Sequence, residues 1–290
     1  MPSREEKRRA VVMAAKRNTE HFERMARSLD AGSWDDDDTD PEASTYAAAD
    51  PGPDPVPEWV ITSDEARQVD LGVLKTGKEA DVHLVRRRHG DAENVLAAKR
   101  YRKLEERLFR NDARYRAARR TGASRVDRAM ARGTKAGLAF RARMWLSTEF
   151  DALSRLWSAG VPVPYPVQKL GNELMLELIG SPDQAAPRLV HAGLDPVALA
   201  DAWAQLVDAM HAMVRSGVVH GDLSPYNILW DRGRLVVIDF PQSVDPIAHP
   251  EGIALLERDV ANVSDWFTRR GVSCDPSDLF GSLVSEAFSG

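Results

Sequence analysis

Residues 218–242 read Val218-Val219-His220-Gly221-Asp222-Leu223-Ser224-Pro225-Tyr226-Asn227-Ile228-Leu229-Trp230-Asp231-Arg232-Gly233-Arg234-Leu235-Val236-Val237-Ile238-Asp239-Phe240-Pro241-Gln242. A short apolar run ends in His220-Gly221-Asp222, Asn227 follows on a loop, and a second apolar run delivers Asp239. An Asp, an Asn and a second Asp gathered at loop ends supply one base-like carboxylate and two hard oxygen ligands of the kind Mg²⁺ prefers. Phosphoryl transfer from a nucleotide calls for that set, because its catalysis is mostly positioning and charge neutralisation. Asp222 sits where a strand-like run gives way to a loop, placed to accept a hydrogen bond from an attacking hydroxyl or water. His220 reads as a structural histidine that orients the loop.

Upstream, Leu71–Leu74 and Asp81–Val85 read as strands joined by the turn Lys75-Thr76-Gly77-Lys78-Glu79-Ala80, and Val95–Lys99 as a third strand. A turn with a small hydroxyl residue and a glycine can bring backbone N–H groups close to phosphate oxygens. It is not a Walker A loop, since the G-x-x-x-x-G-K-[ST] spacing and the following helix are absent. Lys99, after Ala97-Ala98, points into whatever cleft its strand borders. Glu149, beside Leu146, Phe150 and Leu153 on the predicted helix Met144–Ala159, is its natural partner. Taken without the loop motif, the two would read as a solvated strand lysine and a surface helix glutamate.

The remaining chain sorts into zones. Residues 1–57 are expected to be a basic helix (1–29) followed by an acidic, proline-rich linker (30–57), largely disordered and unpacked. The linker carries Asp35–Asp38 and then Pro51, Pro53, Pro55 and Pro57, so the folded domain is expected to begin near Glu58-Trp59. Short strands are predicted at Val163–Val167, Gln168–Leu170 and Leu174–Ile179, with mainly helix beyond Ala186. A strand-rich half followed by a helix-rich half implies an α+β fold of two lobes with a cleft between them. Across 290 residues, 43% are apolar and 29% charged, enough to build a core; the net charge of −5 argues against a protein that coats nucleic acid. A lone Cys274 excludes an internal disulfide, and no apolar run approaches membrane-spanning length, so a cytoplasmic location is expected.

Taken together, these motifs resemble the RIO family of atypical serine/threonine protein kinases, closest to a bacterial-like member of its first subfamily. Lys75–Val82 resembles that family's phosphate loop, His220–Leu229 its catalytic loop, Ile238–Val244 its metal-binding loop, and Arg258-Asp259-Val260-Ala261-Asn262-Val263 a helix near its end. The resemblance covers residues 58–290, with an N-lobe at 58–178 and a C-lobe at 179–290. It implies a two-lobed protein-kinase-like fold lacking the activation segment and peptide-binding platform. It also implies ATP and Mg²⁺ as cofactors, Asp222 as catalytic aspartate, Asn227 and Asp239 as metal ligands, and Lys99 with Glu149 as an ion pair. Thr76, Gly77, Lys78 and Glu79 would cover the phosphates, and Met175, Glu177 and Ile179 would form the strand that meets adenine. In this family the metal-binding aspartate can itself receive phosphate, which makes Asp239 a candidate acceptor in an ATPase-like cycle with autophosphorylation.

Departures from ordinary kinases are informative. Gly221 replaces the arginine of H-R-D, Ser224 stands where most kinases place a lysine, and Pro241 replaces the glycine of D-F-G. The insert 103–143 is dense in arginine (Arg114, Arg116, Arg119, Arg120, Arg125, Arg128, Arg132), a stretch that reads either as a solvated face or as a site for RNA phosphates. Kinship would make RNA or the small ribosomal subunit the partner. Two other functions share part of the pattern. An aminoglycoside- or choline-type phosphotransferase carries a similar H-G-D-L-x-x-x-N loop, and a non-catalytic scaffold would keep ATP as a structural ligand. The Thr76–Ala80 turn and the Asp239–Ser243 ending favour the RIO reading over the first. Intact Lys99, Asp222, Asn227 and Asp239 argue against the second.

Overall fold

A computed structural model of the protein describes residues 43–77, 80–101, 135–181 and 184–289. The helix expected within 1–29, the linker up to residue 42, Lys78, Glu79 and the insert 103–143 up to residue 134 lie outside the described residues.

The N-terminal half is a six-stranded antiparallel sheet in the order β1-β5-β6-β4-β3-β2. Its strands are β1 Asp50–Pro51, β2 Arg67–Thr76, β3 Ala80–His89, β4 Ala92–Tyr101, β5 Pro166–Leu170 and β6 Glu173–Glu177. Side chains alternate across a strand, so the two sheet faces have separate fates. Leu96, Ala98, Val85, Val167 and Met175 bury a small outer cluster with Val60 and Tyr165. Tyr101 and Leu174 point the other way, into a larger core that continues through Leu153, Leu206, Leu223, Phe240 and Phe267. The helix α1, Lys135–Ser158, packs against β5. It stops where expected, at Gly160, whose φ of +74° suits glycine and whose N–H donates to the Trp157 carbonyl at 2.9 Å.

The C-terminal half is helical. After the two-residue strands β7 Gly180–Ser181 and β8 Gln184–Ala185 come α2 Pro196–Arg215, α3 Gly252–Thr268 and α4 Pro276–Ala287. Local chemistry sets the helix starts: Asp195 accepts the Ala198 amide at 2.8 Å, Asp275 accepts those of Ser277 and Asp278 at 3.0 Å, and proline follows each cap. Leu256, Val260, Val263 and Phe267 form the buried stripe of α3. The hairpin β9 Ile228–Asp231 with β10 Arg234–Val237 carries the loop motif at its ends. Only residues 241–251 separate Phe240 from the start of α3 at Gly252. Among the described residues no helix is long and apolar enough to cross a membrane.

Two expectations are corrected. Residues 43–57 are not an unpacked linker; they strap the outer sheet face. Ala43 bridges Arg67, β1 pairs with Gln168 and Lys169 of β5, and Tyr46 and Val56 pack on the outer cluster. Proline is tolerated here because β1 is an edge strand, where a missing N–H costs no ladder bond. Gly52 lets the strap approach: its N–H donates to the Val167 carbonyl at 3.0 Å, and a Cβ there would meet the Pro166 carbonyl oxygen at 2.0 Å. Beneath the strap lies Arg87, 0% exposed, donating to Ile61 O at 3.2 Å, Gln68 Oε1 at 3.2 Å and Gln168 Oε1 at 2.7 Å, with the Tyr46 ring 5.7 Å from its guanidinium. Burial pulls the Arg87 guanidinium down to about 10, so it stays charged at neutral pH. The second correction concerns strand limits. β2 runs on through Lys75 and Thr76, and β5 starts at Pro166 instead of Val163.

Candidate active site

Strand alternation decides which face Lys99 takes. With Leu96 and Ala98 packed outward, Lys99 faces inward toward the C-terminal half, its side chain 12% exposed. The α1 stripe sends Glu149 to the same place, where it is 1% exposed. Lys99 Nζ donates to Glu149 Oε1 at 2.8 Å and Oε2 at 2.7 Å, and to Asp239 Oδ1 at 2.6 Å. The Tyr101 hydroxyl donates to the second Glu149 oxygen, and the Phe240 amide donates to the first at 3.1 Å. Burial pulls the Lys99 ammonium down, but the facing carboxylates of Asp239 and Glu149 more than reverse it, so Lys99 is held above its ordinary value. Burial likewise pushes Asp239 up, and the Lys99 charge overcomes it, leaving the carboxyl below the usual range. Asp239 remains 41% exposed and adopts φ +76°, a left-handed conformation that a non-glycine residue rarely takes and that clusters at functional sites.

The loop opposite is held from beneath by α3. Asp259, fully buried, accepts the Gly221 amide at 2.7 Å and the Leu223 amide at 2.9 Å. Its carboxyl is pushed up by burial and partly restrained by those two donors. Arg258 donates to the Gly221 carbonyl and Asn262 to that of Leu223. His220 ties the two motif segments together. Its Nδ1 accepts the Asp222 amide at 3.3 Å, so Nε2 carries the proton and donates to the Ile238 carbonyl at 3.0 Å. Gly221 cannot be replaced by the arginine of ordinary kinases, because its φ is +80° and a Cβ would lie 2.6 Å from the Gln242 carbonyl oxygen.

Asp222 stands exposed at the mouth of this loop. Asn227 is buried and donates its Nδ2 to the Asp222 carbonyl at 2.9 Å, which leaves Oδ1 as its remaining polar atom. An amide oxygen and a half-exposed carboxylate suit Mg²⁺, which keeps several waters and substrate oxygens and needs few protein ligands.

Several expected residues sit differently. Gly77 donates its amide to the Ala80 carbonyl at 3.0 Å, so that N–H closes the hairpin and does not reach for phosphate. Thr76 ends β2, exposed, next to it. Met175 is a correction: it pairs with Ala98 and is wholly buried on the outer face under the strap, the side opposite Lys99. Leu174, paired with Lys99, and Leu176, paired with Ala97, are the β6 residues on the site's face, both packed on the inner core. Strand alternation from Lys99 carries that signal, given the β4–β6 register. Glu177 turns its carboxylate onto the Tyr165 amide at 3.0 Å, and burial pushes that carboxyl up. The Ile179 carbonyl accepts the Ala186 amide at 2.8 Å. The sequence reading also passed over Tyr101 and the part Asp259 plays.

A buried lysine–glutamate pair reaching one loop aspartate, between a strand-rich half and a helical half, defines a protein-kinase-like fold. The RIO domain family model matches residues 81–279. Similar proteins include a serine/threonine-protein kinase RIO1 of Chaetomium thermophilum, 33% identical over 69% of this chain and 40% of its own. The RIO-type serine/threonine-protein kinase Rio1 of Haloferax volcanii is 37% identical over 50% of this chain and 49% of its own. That of Thermoplasma acidophilum is 35% identical over 47% of this chain and 70% of its own. The chain belongs to the RIO family. It spans less than half the length of the first two of these relatives.

Proposed function

We propose that this chain is an ATP- and Mg²⁺-dependent phosphoryl-transfer enzyme, a RIO-type atypical serine/threonine kinase that works mainly as an ATPase with autophosphorylation. The observation that carries the reading is Lys99 held between Glu149 and Asp239, with Asp222 and Asn227 on the adjoining loop. Lys99, fixed by Glu149, donates to phosphate oxygens. Asp222 accepts the proton of the attacking hydroxyl or water. Asn227 and Asp239 would hold Mg²⁺, which supplies charge neutralisation at the phosphates. Asp239 would also serve as the phosphate acceptor, in keeping with its half-exposed carboxylate. The short stretch between Phe240 and α3 supports turnover without a peptide platform. For partners, we propose that the arginine-rich stretch 103–143 contacts polyanions such as RNA of the small ribosomal subunit; such binding weakens steeply as salt rises. A cytoplasmic location fits this reading.

The test is incubation with γ-labelled ATP in Mg²⁺ and in EDTA, for wild type and Asp239→Asn. The expected result is label transfer and phosphate release by wild type in Mg²⁺ only. Equal signal from wild type and variant overturns the reading and leaves an ATP-binding scaffold.

A further inference from the structure

Every proton of the Lys99 ammonium is committed. An ammonium has three donors, and these meet Glu149 Oε1 at 2.8 Å, Glu149 Oε2 at 2.7 Å and Asp239 Oδ1 at 2.6 Å. A lysine that is to serve a nucleotide phosphate must therefore let go of an acceptor it already holds. That acceptor must not be stranded, because a buried carboxylate oxygen left without a donor is costly. Glu149, with its side chain 1% exposed, has two such oxygens.

Each oxygen has a second donor. The Phe240 amide holds Oε1 at 3.1 Å, and the Tyr101 hydroxyl holds Oε2. The sequence places Tyr101 for this task. It ends β4 two positions after Lys99, so strand alternation sends both side chains to one face, and the Lys99 ammonium lies 5.4 Å from the centre of its ring. The ring is wholly buried in the core that also takes Leu146, Phe150 and Leu153 of α1. Asn172, in the turn between β5 and β6, grips the Tyr101 backbone from both sides. The Tyr101 amide donates to the Asn172 carbonyl at 2.9 Å, and Asn172 Nδ2 donates to the Tyr101 carbonyl at 2.8 Å. The hydroxyl is thus held on Glu149 by contacts in which Lys99 has no part.

We propose that Tyr101 is a positioning residue that makes the bond between Lys99 and Glu149 exchangeable. When the ammonium turns toward a nucleotide phosphate, the Tyr101 hydroxyl keeps Oε2 satisfied and holds Glu149 in place. This rests on the phosphoryl-transfer reading above. Without the hydroxyl, Lys99 is the sole donor on Oε2 among the described residues, and the ammonium is tied to Glu149 by both oxygens. Tyr101 acts through Glu149 and Lys99, with no contact to the nucleotide itself.

The experiment is equilibrium binding of Mg-ATP to the full chain, for wild type, Tyr101→Phe, Lys99→Met and the Tyr101→Phe/Lys99→Met pair, with thermal melting of each to report folding. Tyr101→Phe keeps the ring and removes only the donor. It is expected to weaken Mg-ATP about tenfold, the scale of one charge-assisted hydrogen bond, and Lys99→Met to weaken it more. In the pair, the tyrosine change should add less than about twofold, because the hydroxyl acts only through the lysine. An equal loss on removing the hydroxyl in both backgrounds would mean that Tyr101 merely shapes the site, and overturns the proposal. So does a folded Tyr101→Phe that binds Mg-ATP like wild type. Where a variant is too unstable or binds too weakly to compare, the wild type alone decides, by NMR of the chain labelled at the tyrosine Cζ. The Tyr101 signal is expected to shift as Mg-ATP is added, since the hydroxyl then holds Oε2 without the lysine; an unmoved signal overturns the exchange. A folded wild type that binds no Mg-ATP overturns the phosphoryl-transfer reading, and the proposal with it.

Discussion

Glu149 and Phe240 are joined by a 3.1 Å hydrogen bond in which the Phe240 amide donates to Oε1, the same oxygen that accepts from Lys99 at 2.8 Å. One buried carboxylate on α1 thus sets both the Lys99 ammonium in the sheet and the backbone of the loop that carries Asp239. Glu149→Gln keeps the shape and removes the charge that holds Lys99. Turnover of Mg-ATP by this variant is expected to drop about a hundredfold, the scale set by misplacing a reacting group by about 1 Å. Glu149→Ala leaves a buried ammonium half-paired and is expected to cost roughly 3 kcal/mol of stability in denaturant titration. Unchanged turnover in the Gln variant would show that Glu149 is only a packing residue.

Gly221 reports on the loop geometry. A side chain there meets the Gln242 carbonyl, and φ +80° is strained for any other residue. Gly221→Ala is expected to lose about 1–3 kcal/mol of stability, read as a lower chemical-denaturation midpoint, together with part of the activity as Asp222 shifts. A variant as stable and as active as wild type would contradict the close packing of the two motif segments.

The strap makes its own claim. A chain beginning at residue 58 lacks Tyr46 and Val56, so it uncovers the outer cluster around Val85, Leu96, Tyr165 and Met175 and takes the Tyr46 ring away from Arg87. Compared with a chain beginning at residue 43, it is expected to melt several degrees lower, the shift that about 1–2 kcal/mol produces in a domain of this size. Equal melting temperatures would mean that the strap contributes nothing to the fold.

Acid sensitivity has a named source in the sheet. Burial pushes Asp70 up, but the hydrogen bonds from Arg100, the Gly72 amide and His83 hold it down at about 2. Its folded value lies below the ordinary 3.8, so its contribution is present above that value and is lost as pH falls toward about 2. Acid titration of stability should show a shallower decline between those values for Asp70→Asn than for wild type. Superimposable titrations would contradict the assignment. The pair is partly exposed, so added salt should weaken the effect.

The chemistry was legible because it sits in a contiguous motif whose spacing the backbone preserves. His220 through Asn227 and Asp239 are near neighbours in sequence, and Lys99 with Glu149 follows from strand and helix periodicity. What escaped reading depends on contacts between distant segments. The slip from Leu176 to Met175 is one position, and a one-position slip in a strand moves a side chain to the opposite face. Only the pairing of Lys99 with Leu174 fixes which face is which. The strap was missed for a compositional reason. Asp50, Pro51, Pro53, Pro55 and Pro57 look like a solvated linker, yet an extended proline-rich segment can line an open sheet edge and close over apolar residues that only the folded sheet brings together. Gly221, which stands where ordinary kinases place the arginine of H-R-D, is required by the approach of the Gln242 backbone, a contact no sequence pattern shows.

The most direct measurement is single-turnover release of phosphate from saturating Mg-ATP by Asp222→Ala, with binding measured in parallel. Asp222 is exposed at the loop mouth and supports none of the buried contacts around Lys99, so affinity should stay near wild type while the rate falls by about 10²–10⁴, the contribution of a positioned general base. A variant that releases phosphate at the wild-type rate would contradict the assignment of this loop as the catalytic one.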